Sequence, residues 1–487
     1  MKKHIFFLAI FAAFVITGCR KIEMDGEKEI IIVSGGGGGG GPTGQTITLQ
    51  GRINADTILR KQNTYILKGL VYIVGNKTIT IEAGTVIKGS FSGSDVAGLV
   101  ITRGSKIVAN GTLTNPIVFT SSSPTPRSGD WAGIVIAGTA RINTAFNGTN
   151  GLFEMEGGIN NSFGDGLAGS GDAAFPTAND NDSSGVLQYV RIEYAGYAFQ
   201  PDKEINSLTM CGVGRKTVID HIQVALAKDD AYEWFGGSVN CKYLIALKTQ
   251  DDDFDTDNGF SGQVQFGLIV RDSAIADISR SEGFESDNNS AGNTATPQTS
   301  PVFSNCTVLG PRAALTNFGN SLYLAAVQIR RNSRTSIFNS AFLGWPTGIL
   351  IDASTGRPTD LNIQDSTLRI RNTVIAGCNL PIDYRVSASA PTGATQASTE
   401  AWFLTPHFRN SILTNVEDAR YTRPFDYNNP DFQPFGTSTL NTGANFTDPL
   451  MVGGQGYNTF TTVTFRGAIG PSGEGANWYK GWTRFNY

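Results

Sequence analysis

Short apolar runs broken by Gly, Asn or Asp recur along most of this chain, and no long helical period separates them. Thr78-Ile79-Thr80-Ile81-Glu82-Ala83-Gly84-Thr85-Val86-Ile87 alternates as strand, turn and strand, and Leu99 to Gly111 repeats the pattern. Ile134 to Ile142 repeats it again, with glycines where a coil must turn with a positive backbone angle. Further on, Asn240, Asn305, Asn339, Asn372 and Asn410 each open one phrase: Asn, a small or polar residue, then a short apolar strand. A phrase recurring every few tens of residues marks a stacked solenoid. The expected fold is all-β, a single-stranded right-handed parallel β-helix. In it the Asn side chains stack, each amide bonding the next coil about 4.8 Å away. The competing reading is that Asn is merely common in turns.

Two further phrases carry a resemblance. Asn115-Pro116-Ile117-Val118-Phe119-Thr120 precedes Trp131-Ala132-Gly133, and the chain ends in Phe465-Arg466-Gly467-Ala468 and Gly481-Trp482-Thr483. Together these resemble a broad group of bacterial secreted β-helix proteins of the pectate-lyase-like kind. The resemblance implies the fold, an envelope location and a C-terminal cap closing the solenoid. It implies no particular activity.

The N-terminal segment sets the expected location. Met1-Lys2-Lys3-His4 is basic, Ile5 to Ile16 is apolar but too short to span a membrane, and Ile16-Thr17-Gly18-Cys19 resembles a bacterial lipobox. The resemblance implies cleavage before Cys19 and acylation of that cysteine. Residues 1–18 are then a lipoprotein signal peptide and 19–45 a tether. The tether carries Glu23, Asp25, Glu27, Glu29 and the glycine run Gly35 to Gly41. Residues 46–487 form the β-helix domain. The acidic stretch resembles the signal that sends some lipoproteins to the outer face of the outer membrane, so lipid anchoring at the cell surface is expected.

Charged residues are 16% of the chain and the net charge is −4, so no basic excess exists to bind nucleic acid. Cys211, Cys241, Cys306 and Cys378 have neither metal-site nor disulfide-framework spacing and are expected as small core residues, with Cys241 and Cys306 in one repeat slot. Asn143 to Ser184 and Asn288 to Pro301 break the repeat and are expected as excursions from one face.

The chemistry concentrates in three aligned segments. These are Asp230-Ala231-Tyr232-Glu233-Trp234-Phe235, Asp252-Asp253-Phe254-Asp255-Thr256-Asp257 and Glu282-Gly283-Phe284-Glu285-Ser286-Asp287. Alternate strand residues share a face. Tyr232, Phe254 and Phe284 therefore stack inward, and Glu233, Asp255 and Glu285 outward, with Asp253, Asp257 and Asp287 beside them. Like charges one coil apart repel. These six acids are the expected ligands of a calcium ion; the alternative is a solvated face with loose counterions. The Asp253-x-Asp255-x-Asp257 loop is no EF-hand, because Gly259 comes one place late and Val264 stands where the bidentate Glu belongs.

Lys248, Arg271 and Arg280 lie near the acids in sequence, and Gln328-Ile329-Arg330-Arg331 supplies further bases. The first expectation is a non-catalytic surface module that binds polysaccharide or a neighbouring envelope protein. The alternatives are a calcium-dependent polysaccharide lyase or glycoside hydrolase, and an accessory subunit of a TonB-dependent outer-membrane transporter. Anchoring is directly testable. Cys19→Ala is expected to abolish acylation and release the protein from membranes, read by lipid labelling and fractionation; an unlabelled Cys19 in a wild type that still sediments with membranes overturns it.

Overall fold

A computed structural model describes residues 20–22, 28–33, 44–200, 203–311, 319–388, 391–473 and 475–487. The segment read as a signal peptide, Cys19 and the glycine run lie outside these residues. Within the segment read as tether, Lys28–Val33 pairs antiparallel with Thr46–Ile53 and so extends the sheet of the solenoid. Its Ile30-Ile31-Ile32-Val33 run has the β-branched composition of a strand, which the acidic and glycine-rich neighbours mask. No helix among the described residues is long and apolar enough to cross a membrane.

The expected right-handed parallel β-helix is the observed architecture. One wall runs through Leu208–Cys211, Tyr232–Phe235, Phe254–Asp257, Phe284–Ser286, Ala325–Ile329, Thr347–Ala353 and Leu380–Val386, each strand parallel to the next. We call it the first wall. The second and third walls share the strands Gly185–Glu193, Val218–Ala225, Cys241–Leu247 and Gln263–Val270, which bend in the middle. In later coils they separate into Val302–Ser304 with Thr307–Leu309 and Ser336–Phe338 with Ala341–Leu343.

The bend is made by a single residue in the left-handed backbone region. Tyr189, His221, Tyr243 and Phe266 take φ of 49°, 54°, 58° and 63°; Asn305, Asn339 and Asn372 take 55°, 53° and 53°, and Arg409 takes 55°. Asn tolerates this conformation better than most residues. A bulky residue there costs about 1–2 kcal/mol. The stacked rings offset that cost: Tyr189 on His221 at 4.3 Å, His221 on Tyr243 at 4.3 Å, Tyr243 on Phe266 at 4.9 Å.

This corner corrects the expected Asn ladder. Asn305, Asn339 and Asn372 share one column, but Asn240 stands three residues before its corner and Asn410 one residue after. Nor do the amides chiefly bond one another. Asn339 donates to Asn445 O (3.2 Å) and Ser304 Oγ (3.1 Å) and accepts from Asn445 N (2.8 Å). Asn305 donates to Phe465 O (2.8 Å), and Gln265 exchanges two bonds of 2.7 Å with the Thr461 backbone. Asn240 donates to Gln455 O and Tyr457 O, both at 2.8 Å. The corner residues thus hold a C-terminal strap along the side of the solenoid. Trp478 and Trp482 pack edge-on against His221 in mid-helix, so they do not close an end. Phe403, from the helix Gln396–Phe403, joins the interior instead.

The interior contains the expected aromatic column. Tyr232 meets Phe254 at 5.4 Å and Phe254 meets Phe284 at 5.2 Å, all three buried. The four described cysteines are free and buried, as expected, but Cys241 aligns with Val264 and Phe303 rather than with Cys306. Both excursions pack on the first wall's outer side, where Asn143 Nδ2 donates to Asn288 O and Asn288 Oδ1, each at 2.9 Å.

Asn339→Gly keeps a backbone that accepts the corner angle and removes three bonds to the strap and wall. The expected loss is about 1–3 kcal/mol in denaturant unfolding. A change within about 0.5 kcal/mol would show that Asn339 serves only the turn.

Candidate metal centre

Two columns of polar residues run up the outer face of the first wall. In the first, Thr209, Glu233, Asp255, Glu285 and Gln328 follow one another in strict register. The second stands three residues earlier in each coil: Asn206, Asp230, Asp252 and Glu282. Here the side chains tie coil to coil. Asn206 Oδ1 accepts from Asp230 N (3.3 Å), Asp230 Oδ1 from Asp252 N (2.8 Å) and Asp252 Oδ1 from Glu282 N (2.6 Å). One oxygen of Asp230 and one of Asp252 are therefore structural. The other oxygen of each is left to face the site.

The acids converge in threes. Asp230, Glu233 and Asp255 each place one carboxylate oxygen within 4.8 Å of the others, as do Asp252, Glu282 and Glu285, and Asp229, Asp230 and Asp251. Oxygen-only, carboxylate-rich sets of this kind suit a hard cation such as calcium. Burial first, and neighbouring acids second, push Asp230, Glu233, Asp252 and Asp257 well above the usual carboxylate range, and burial pushes Glu285 up against the pull of Arg330. The same causes raise Asp255 to about 8 and Asp251 to about 7. Asp255 Oδ1 is buried without a hydrogen-bond partner among the described residues.

Among the described residues, positive charge enters at one end only. Arg330 Nε donates to Asp287 Oδ1 at 2.8 Å and Arg330 also pairs with Glu285, while Arg331 donates to Asp287 Oδ2 at 2.6 Å. A cleft of about 280 Å³ opens beside this end, between Asp252, Glu282, Glu285, Arg280, Arg330 and Arg385.

The structure divides the six expected ligands. Glu233, Asp255 and Glu285 form the outward column as expected, and Asp257 and Asp287 lie further along the wall. Asp253 does not join them. Its side chain turns inward onto Arg271, with both groups fully buried and 3.0 Å apart. The guanidinium also donates to Asp251 O (2.6 Å) and Gln250 O (3.2 Å) and lies 5.1 Å from the Tyr323 ring. Burial lifts Asp253 to about 6 against the pull of Arg271. Alternation fails here because Asp253 precedes the strand, at the corner. Asp229, Asp230, Asp251, Asp252 and Glu282 are the acids that strand alternation misses. Their signal is the acidic residue or pair three to four places ahead of each outward acid. Lys248, expected near the columns, pairs instead with Asp272 at 3.4 Å.

A carboxyl raised in the folded state holds its proton there more tightly than in the unfolded chain, where Asp ionises near 3.9. Its stabilising contribution is complete below about pH 4 and is lost as pH rises through the folded value. For Asp251 and Asp255 that loss runs from about pH 4 and is complete by about 7 and about 8. In chelator the melting temperature is therefore expected to fall between about pH 5 and about pH 8. Scanning calorimetry showing a flat or rising trend in that window would mean ordinary acids.

The family model described as pectate-lyase like beta helix domain matches residues 51–404, a span that contains every acid of the site and excludes the strap. No curated protein and no solved structure matches the chain. With most of its length matched and the parallel β-helix in place, the chain belongs to the pectate-lyase-like beta-helix domain family.

Proposed function

We propose that the protein is a non-catalytic binding module of the bacterial envelope, lipid-anchored through Cys19, that holds calcium on the carboxylate columns and presents it to polysaccharide. The observation that carries this reading is the convergence of three carboxylate oxygens within 4.8 Å, repeated on neighbouring coils. A bound dication replaces the protons these acids otherwise hold and cancels their repulsion. Hydroxyl and carboxylate oxygens of a glycan are suitable further ligands for it.

The basic residues favour binding over lyase chemistry. A lyase needs a base beside the cation. Although burial pulls the other way, the charges of Glu285 and Asp287 hold Arg330 well above its usual range. Arg271 is fully buried on the inner side of the wall. Neither can give up a proton to act as base. One observation favours a second reading: Asp252, Glu282 and Glu285 bring carboxylate oxygens within 4.8 Å of one another at the cleft, and glycoside hydrolysis works through a pair of carboxyl groups.

The test titrates calcium by calorimetry and follows a polysaccharide panel with and without chelator, measuring both retention and released sugar ends. Calcium at 100 times its dissociation constant is expected to add about 2.7 kcal/mol of stability. Asp255→Asn is expected to lose that response and to melt higher than wild type in chelator. Retention without released ends supports the module; released ends favour the hydrolase. No heat of binding and unchanged melting in chelator overturn the calcium reading.

A further inference from the structure

The columns are unequal at their two ends. At the C-terminal end Arg330 and Arg331 already pair Glu285 and Asp287. At the N-terminal end no base among the described residues takes that place. The next coil down offers Asn206, whose amide donates to Glu233, and Thr209, which aligns with Glu233. Thr209 is 4% exposed, and its hydroxyl finds no partner among the described residues. A buried hydroxyl without a partner, beside three converging carboxylates, is an oxygen donor waiting for a ligand.

The 143–184 excursion is fastened over this same end. Phe153 packs on Phe235 at 4.9 Å, and Tyr72 Oη donates to Ile159 O at 2.6 Å. Met155 and Ile159 are buried in one cluster with Ile205 and Phe235. Gly157 lies so close to Ile205 that a Cβ would stand 2.4 Å from its side chain. Ile205 is the neighbour of Asn206, which holds Glu233. Glu156, exposed between the buried Met155 and Gly157, is therefore carried beside the triad Asp230, Glu233, Asp255 without joining it. Burial, then the charges of Asp255 and Glu156, push the Glu233 carboxyl up, and Glu156 acts likewise on Asp229 and Asp255. An acid stands where a counter-charge would relieve the crowding.

We infer that the N-terminal triad Asp230, Glu233 and Asp255 takes one divalent cation, with the Thr209 hydroxyl and the Glu156 carboxylate as further oxygen ligands, so that the ion clamps the excursion onto the solenoid. This rests on the calcium reading above and goes beyond it in assigning the ion to one end and giving it a second task. The cation draws the rim acid inward and adds a polar tie at residues 153–159, where apolar packing holds the excursion, to the ion pairs Arg52–Asp165 and Arg103–Asp172 that fasten it further along. Calcium occupancy then controls how firmly the excursion covers the N-terminal end of the columns.

The test compares the purified full chain with Glu156→Gln and Thr209→Val. Calcium is titrated by calorimetry, and amide exchange is followed over residues 153–159 with calcium and with chelator. Each variant is expected to weaken calcium binding about tenfold or more, as losing one oxygen around a metal does. Calcium is expected to slow exchange over 153–159 in the wild type and not in Glu156→Gln. Melting of Glu156→Gln in chelator, equal to or above wild type, shows that the loss is not misfolding. Wild-type affinity in Glu156→Gln, or equal protection of its excursion, overturns this inference and leaves the calcium reading intact. Absence of calcium uptake by the wild type overturns both.

Discussion

Everything on the first wall depends on one backbone constraint elsewhere. From Gly185–Glu193 onward each coil passes between its second and third walls through a single left-handed residue. That fixed corner sets the phase of the coil, and side chains alternate from it with a period of two. Slipping by one residue would turn Tyr232, Phe254 and Phe284 outward and bury Glu233, Asp255 and Glu285 in the interior. The aromatic column and the acidic column are thus two sides of the same register. The strap reinforces it, because the corner amides bond the strap backbone and not water.

With the register fixed, the acids have no freedom to separate. Stacked carboxylates about 4.8 Å apart repel by roughly 3 kcal/mol at an effective dielectric of ~20. The chain relieves this in three ways. Backbone N–H groups of the next coil bind Asp230 and Asp252. Arg330 and Arg331 neutralise the C-terminal end. Raised proton affinity neutralises the rest. The third is the one that another ligand can replace.

The solenoid was legible because its two signals are local: strand alternation and a recurring turn residue. The meaning of the turn residue was less so. Asn305, Asn339 and Asn372 recur because the corner needs a left-handed residue, yet aromatic residues fill that corner in earlier coils, where ring stacking compensates for the backbone. A search for Asn alone therefore finds Asn240 and Asn410, which lie off the column, and misses His221 and Tyr243, which lie on it. The outward acids were legible for the same reason as the strands. Asp253 was not, because it stands at a corner where alternation has no force and its partner Arg271 comes from a different wall. Glu156 was illegible for a deeper reason. Its place over the columns is set by the packing of an irregular excursion on Ile205 and Phe235, and no periodicity reports that.

The fold admits both binding and catalysis, so the choice between them lies in the protonation of one cluster. A hydrolase needs a carboxyl that keeps its proton near neutral pH to hand to a leaving oxygen. The crowded acids of the columns meet that need only while no cation is bound, because a bound dication drives the same protons off. A calcium-loaded column therefore cannot supply the acid, and a column that supplies the acid cannot hold the ion on the same oxygens. The lyase alternative escapes this conflict but needs a base, and the two arginines nearest the acids are held in their charged form by ion pairs. In the proposed binding role, ion, arginine and backbone ladder all serve together. A bound ion would fix the acids, the arginine closes the opposite end, and the cleft beside them has a cationic and an anionic edge suited to the oxygens of a glycan.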